Sequence, residues 1–280
     1  MMHGSATTKA ERLEKFKSQF DFDPRYCLWH GVERECFLVD KDGQYVPRAH
    51  DSLSHIHRKT WSRKHRNRTL TVDPRACVGY ELSAVQLETR TPPHQAYDTE
   101  DYLRLIDINL RNSLNELGLC AQYDEVAPET IPLDVYPDPD GRYQRITAAM
   151  QREVLLSACR IIGTHGHVGM PNHDVALDVY NAAAKECRKL MQLGDGSNGE
   201  RLRIYRIVKP DHIPRPYHSW DDFCDDAHEN GFADDPRSNW RMIRITKYGT
   251  IEFRPFGATH SIDRVCSWMH LCHIICKDAM

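Results

Sequence analysis

The sequence predicts an α+β protein built on an antiparallel or mixed sheet, and three observations carry that expectation. Segments follow the order strand, strand, helix, helix, strand, helix, loop, strand, helix, which is not the regular alternation of a parallel βαβ sheet. Several short segments alternate apolar residues with acids or histidines, as strands do when one face covers a core and the other lines a cleft. The one GxGxxG string, GDGSNG (194–199), lies in a loop after a helix and not after a strand, and no Walker A sequence occurs, so any nucleotide is held by something other than a glycine-rich phosphate loop.

Residues 1–20 form a polar lead with weak helical periodicity, flexible or helical, ahead of a single domain that spans the rest of the 280 residues. LWHGVERECFLVD, Leu28 to Asp40, reads as the first strand and is closed by the turn signal Asp42-Gly43. Residues 58–68 carry Arg58, Lys59, Arg63, Lys64, Arg66 and Arg68 and read as a solvated loop, with an anion-binding loop as the alternative. YELSAVQLETRTPP (80–93) is a second strand, stopped by Pro92-Pro93. Leu103, Ile106, Leu110, Leu114 and Leu117 recur at helical spacing, which predicts a helix over 98–118 with Gly118 as its C-cap. After a proline-rich loop come a helix over 143–161, the strand-like segment IIGTHGHVGMP, a helix over 173–193 and a short acidic helix over 218–230. TKYGTIEFRPFG (246–257) reads as a hairpin strand, followed by a helix to the C-terminus.

Composition narrows the function. Hydrophobic residues make up 40% and charged residues 28% of the chain, ordinary values for a globular protein. Lys+Arg 37 against Asp+Glu 40 leaves a net charge of −3, so nothing global calls for nucleic acid or an anionic membrane as partner. No segment approaches the roughly 18 apolar residues needed to span a bilayer, and the N-terminus lacks the apolar core of a signal peptide; the expected location is the cytoplasm. The 10 cysteines are scattered without a CxxC pair, which gives no support to a structural zinc site or to a thiol nucleophile. Cys266, Cys272 and Cys276, near His270 and His273, fall at an apolar spacing that reads as buried helix thiols.

The chemistry lies in the alternating segments. Glu33 and Glu35 are two apart, so on a strand both point to one face. Gln86 and Glu88 pair in the same way, as do His165 and His167, and Glu252 and Arg254, the last with Ile251 and Phe253 on the opposite apolar face. Together the strands would gather Glu33, Glu35, Glu88, His165 and Glu252 on one face with Arg254 among them. Hard carboxylate oxygens suit Mg²⁺ bound with substrate phosphates, and an arginine on the same face suits a phosphate clamp. An acid of this kind only binds metal, so Glu252→Gln is expected to abolish turnover with little loss of fold.

These four segments, GVERECFLVD, ELSAVQLETRTPP, GTHGHVGMPNHDVALDVYN and KYGTIEFRPFGATHSIDRV, resemble in order and spacing the family-2 glutamate–cysteine ligases, also called carboxylate–amine ligases, of the glutamine-synthetase-like fold. The resemblance implies a curved antiparallel sheet with helices packed on its outer face and a concave face that holds ATP and Mg²⁺, with Mn²⁺ as a substitute. It implies an amide bond made between an amino-acid carboxylate, the γ-carboxylate of glutamate being one candidate, and an amine, through an acyl phosphate. By position, Glu33, Glu35, Glu88, His165 and Glu252 correspond to metal ligands, and His167, Arg254 and Arg206 to contacts with the nucleotide or acyl phosphate. Arg254 and Glu33 are the candidate catalytic pair, and Arg142 and Arg145 are weaker candidates for phosphate contacts. The partners implied are the small-molecule carboxylate and amine substrates, with a homo-oligomer as the assembly. Two alternatives stay open: a phosphotransferase of the same fold, and a non-catalytic protein that binds an anion through residues 58–68.

Overall fold

The structure is a computed structural model that describes residues 8–65 and 68–280. Its main sheet has seven strands, all paired antiparallel. The strands of the chain are β1 (His30–Asp40), β2 (Trp61–His65), β3 (Arg68–Val72), β4 (Val78–Tyr80), β5 (Gln86–Arg90), β6 (Leu119–Gln122), β7 (Gly163–Gly169), β8 (Ile243–Ile245) and β9 (Thr250–Gly257). The sheet runs β4-β5-β1-β7-β9-β8, and β6 pairs with β1 at Phe37–Asp40, beyond the stretch of β1 that β7 covers.

Alternation decides which face is covered. Val32, Cys36, Leu87, Val168, Ile251 and Phe253 are all buried, and they share the apolar back of the sheet. Three helices cover it. Thr99–Asn115 buries Leu103, Ile106, Leu110 and Leu114. His173–Gly194, capped by Asn172, which accepts from the Val175 N–H, packs against β8 and β9. Ile262–Asp278 lies over β7 so closely that a Cβ on Gly166 would sit 2.6 Å from the Met269 sulfur and would force that side chain to move. The expected α+β antiparallel sheet with helices on its outer face is thus the architecture of the chain. Cys187, Cys272 and Cys276 are buried among these helices as core thiols, while Cys266 is half-buried. Among the described residues no helix is long and apolar enough to cross a membrane.

Several elements depart from the sequence expectation. The basic segment is not a loop. β2 and β3 form an antiparallel hairpin because Trp61, Leu70 and Val72 are buried on one face while Ser62, Lys64, Thr69 and Thr71 on the other face solvent. Part of its charge is already matched: Lys59 pairs with Glu116 at 2.5 Å, and Arg68 pairs with Asp98. Arg66 lies outside the described residues. The helix expected over 143–161 is two helices, Arg142–Thr147 and Arg152–Arg160. The strand expected over 80–93 is interrupted, because Gln86 N–H turns back to Ser83 O and Ala84 N–H bonds Asp134 O. Helices Ala49–Ile56 and Glu200–Val208 and strand β6 were not visible in the periodicity. The described part of the lead is a helix, Lys9–Lys17, with a Thr8–Glu11 capping box.

On the back of β1, between Glu33 and Glu35, Arg34 is 2% exposed. Its guanidinium meets Asp107 at 3.3 Å, donates to Thr259 O at 2.9 Å and lies 4.5 Å from the Tyr123 ring centroid. Asp107→Ala leaves this cation buried without its partner, and we expect a loss of about 3–5 kcal/mol of unfolding free energy, read by urea denaturation.

His30 opens β1 with Nδ1 3.0 Å from Thr99 Oγ1 and Nε2 3.0 Å from His273 Nδ1. The neutral ring meets both neighbours, one nitrogen donating and the other accepting. Burial, then His94, His273 and His270, push its pKa down to about 3. An unfolded histidine titrates near 6.5, so between about 6.5 and 3 the unfolded chain binds the extra proton. Stability from this group is full above that window and falls as pH drops through it. The melting temperature should fall between pH 7.5 and pH 5, and by less in His30→Gln.

Candidate active site

The face opposite the core brings β5, β1, β7, β9 and β8 side by side, and their register fixes which side chains meet. Glu35 lies opposite Glu88, Glu33 opposite both Arg90 and His165, His167 opposite Glu252, and Glu252 opposite Arg244. Directly opposed residues have Cβ atoms about 5 Å apart, so the even-spaced residues of each strand form one continuous charged surface. They line a cavity of about 500 Å³.

Seven residues expected at the site from the sequence line this cavity: Glu33, Glu35, Glu88, His165, His167, Glu252 and Arg254. His165 is the hub. Its Nδ1 is 3.4 Å from Glu33 and 4.0 Å from Glu252, and its Nε2 is 3.7 Å from Glu35. His167 reaches Glu33 with Nε2 at 3.6 Å and Thr250 Oγ1 with Nδ1 at 3.0 Å. Glu252, 0% exposed, is clasped by Arg244 and Arg254. Glu35 also accepts the Gly163 N–H at 2.6 Å.

Arg206 is not in the cavity. It lies exposed on helix Glu200–Val208, and Arg201, on the same helix, lines the cavity instead. Arg145 is exposed and donates to Asp140 O, whereas Arg142 stands on the cavity lining 3.8 Å from Asp235. Sequence reasoning also missed Arg90, Arg244, Glu81, Tyr80 and Tyr143, all on the lining. Arg90 had a signal, since it continues the alternation Gln86, Glu88, Arg90. Glu81 sits in the turn between β4 and β5, where alternation has no meaning.

The charges divide the cavity. Burial, then Glu88, raises Glu35 to about 7. Burial and Glu33 raise Glu88 despite its ion pair with Arg90, and burial, Glu88 and Glu35 push Glu81 well above the usual range. Burial would raise Glu33 too, but His167 and His165 outweigh it and hold that acid low. Glu252 is held low in the same way by Arg244 and Arg254. Burial and Arg254 lower His165 to about 4, which leaves a neutral imidazole able to ligate, while Glu33 keeps His167 raised against the effect of burial.

This donor set fits a divalent cation. Glu33, His165 and Glu252 form one group, and Glu35, Glu88 and His165 a second; in each the donor atoms lie within 4.8 Å of one another. Mostly carboxylate oxygens, they are the ligands that hard ions such as Mg²⁺ take. The raised carboxyls of Glu35 and Glu88 are acids that a nearby cation would return to the ionised form. Arg254 Nε is buried without a hydrogen-bond partner, which leaves a donor for an anionic ligand, while His167 Nε2 faces Glu33 at 3.6 Å.

Relatives of the chain carry a consistent name. A Chloroflexus aggregans protein named "Putative glutamate--cysteine ligase 2" is 30% identical over 167 residues, covering 52% of this chain and 42% of that protein. A Rubrobacter xylanophilus protein named "Putative glutamate--cysteine ligase 2-1" is 26% identical over 275 residues, 89% of this chain and 64% of the other. The chain therefore spans less than two thirds of the length of either relative. No family model matches it. Among solved structures, the bifunctional glutathione synthetase from Pasteurella multocida superposes with a TM-score of 0.58 at 14% identity, over 95% of this chain and 40% of that one, a likeness of fold. The resemblance found in the sequence holds: the chain is similar, over about half to nine tenths of its length, to proteins named glutamate–cysteine ligase 2.

Proposed function

We propose that this chain is an ATP- and Mg²⁺-dependent ligase that joins an amino-acid carboxylate to an amine through an acyl phosphate. The observation that supports it best is the pair of acid–histidine groups sharing His165, set beside the arginines that clasp Glu252. Glu33, Glu35, Glu88, His165 and Glu252 would hold Mg²⁺, which when bound supplies charge neutralisation at the phosphate oxygens.

The remaining steps fall to the side chains. Arg254, kept cationic and carrying a free Nε–H, would orient the transferring phosphoryl group and stabilise its charge, with His167 lining the same cavity. A carboxylate oxygen of the substrate attacks the γ-phosphorus and ADP leaves. The amine nitrogen then attacks the acyl carbon, the phosphate leaves, and the ammonium proton must pass to a base. Glu81, a cavity carboxylate outside both metal groups, is the candidate for that role in its ionised form. All 10 cysteines are free, which suits a reducing cytoplasm.

The test is ATP turnover with Mg²⁺ across a matrix of amino-acid carboxylates and amines, with products followed by mass. A product equal to the two partners minus water, formed only when both are present, supports the ligase. Phosphate transferred to the carboxylate alone as a stable product would make it a phosphotransferase instead.

A further inference from the structure

We propose that Arg201 and Glu125 are a positioning pair that sets the β-bulge through which β9 aims Arg254, and β7 aims His165, into the cavity. The link to catalysis rests on the ligase reading; the bulge itself does not. Between β7 and β9 the register runs Gly163 to Gly257 and Thr164 to Phe256, then jumps to Gly166 opposite Phe253. One residue of β7, His165, therefore faces two of β9, Arg254 and Pro255. This two-against-one count is a bulge, and bulges beside active sites re-aim side chains. Pro255 has no N–H to give to a ladder, so a proline here suits the bulge and no regular strand position.

The bulge leaves carbonyls that the ladder does not take up, and Arg201 takes them. It donates to Pro255 O at 3.3 Å and to Arg254 O at 3.3 Å, and its Nε donates to Ile162 O at 2.9 Å, just before β7. One guanidinium thus ties the entry of β7 to the exit of β9. The adjoining Gly163 has no Cβ, and one there would stand 2.6 Å from the Arg201 guanidinium. The Gly163 N–H in turn points at Glu35. Each of its three guanidinium nitrogens donates to a backbone carbonyl, so Arg201 acts on the strands.

A cation only 2% exposed needs a counter-charge nearby, and Glu125, 7% exposed, and Glu35 are the acids whose charge acts on it, neither bonded directly to its guanidinium. Glu125 Oε1 accepts the Gly196 N–H at 2.6 Å, which fixes the carboxylate beside the end of β9, and its Oε2 has no hydrogen-bond partner. A Cβ on Gly257 would overlap this carboxylate, so the glycine that ends β9 is the space Glu125 occupies.

The test compares Arg201→Met, Arg201→Lys and Glu125→Gln with Arg203→Met, an exposed neighbour on the same helix. In crystal structures of the Arg201 variants the β7–β9 register should change, with Arg254 drawn away from Glu252. In turnover, kcat should fall by about 100-fold in Arg201→Met and about 10-fold in Arg201→Lys, with KM for ATP nearly unchanged, the range that loss of a supporting partner costs. Glu125→Gln should follow Arg201→Lys. An unchanged bulge, or kcat equal to that of Arg203→Met, overturns the proposal. Should Arg201→Met not fold, the lysine and glutamine variants carry the same readouts. Wild-type protein without ATP turnover would defeat the ligase reading alone, and the register would still decide the role of the pair.

Discussion

Glu33→Gln should lose ATP-dependent turnover while keeping the fold. Glu33 is the acid that both cavity histidines share, at 3.4 Å from His165 and 3.6 Å from His167, and its side chain keeps 27% exposure. The amide has nearly the same shape, so packing is preserved. The lost charge removes a hard ligand from one metal group and the partner that raises the pKa of His167. We expect kcat to fall at least about 100-fold and Mn²⁺ affinity by a similar factor, at or beyond what loss of a ligand's supporting partner costs. Unfolding free energy should move by about 1 kcal/mol or less, as for a partly solvated ion pair. Steady-state turnover and urea denaturation on one preparation separate the two effects.

Glu252→Gln should behave differently, because its surroundings in the structure argue against the expectation that it would spare the fold. Glu252 is 0% exposed and lies between Arg244 and Arg254. Neutralising it leaves two part-buried guanidiniums repelling each other across one amide. Removing one partner from a buried ion pair costs about 3–5 kcal/mol, so this variant should lose stability as well as activity. Its urea midpoint should fall well below that of Glu33→Gln. Equal midpoints would mean that Glu252 does not hold the arginines together.

How far the sequence could be read follows from the range of the physics involved. Alternation is local, so strand residues such as Glu33, Glu35, His165 and Glu252 were legible from their spacing, and the cavity brings them together as expected. Register is not local. That Glu252 sits opposite Arg244 depends on a hairpin pairing that spacing alone does not give. The assignment of Arg206 fails for the same reason: it shares a helix with Arg201, and which of them turns inward depends on bulge carbonyls some fifty residues away in sequence. The basic hairpin was misread because net charge outweighed the sparse apolar alternation of Trp61, Leu70 and Val72.

The central claim is that this acid face holds divalent metal, and a calorimetric titration of Mn²⁺ into wild type and Glu33→Gln, in the presence of a non-hydrolysable ATP analogue, tests it most directly. Uptake of Mn²⁺ by wild type, weakened about 100-fold in Glu33→Gln, is the expected result. No uptake by wild type, or equal affinity in the variant, would contradict the assignment of these carboxylates as metal ligands.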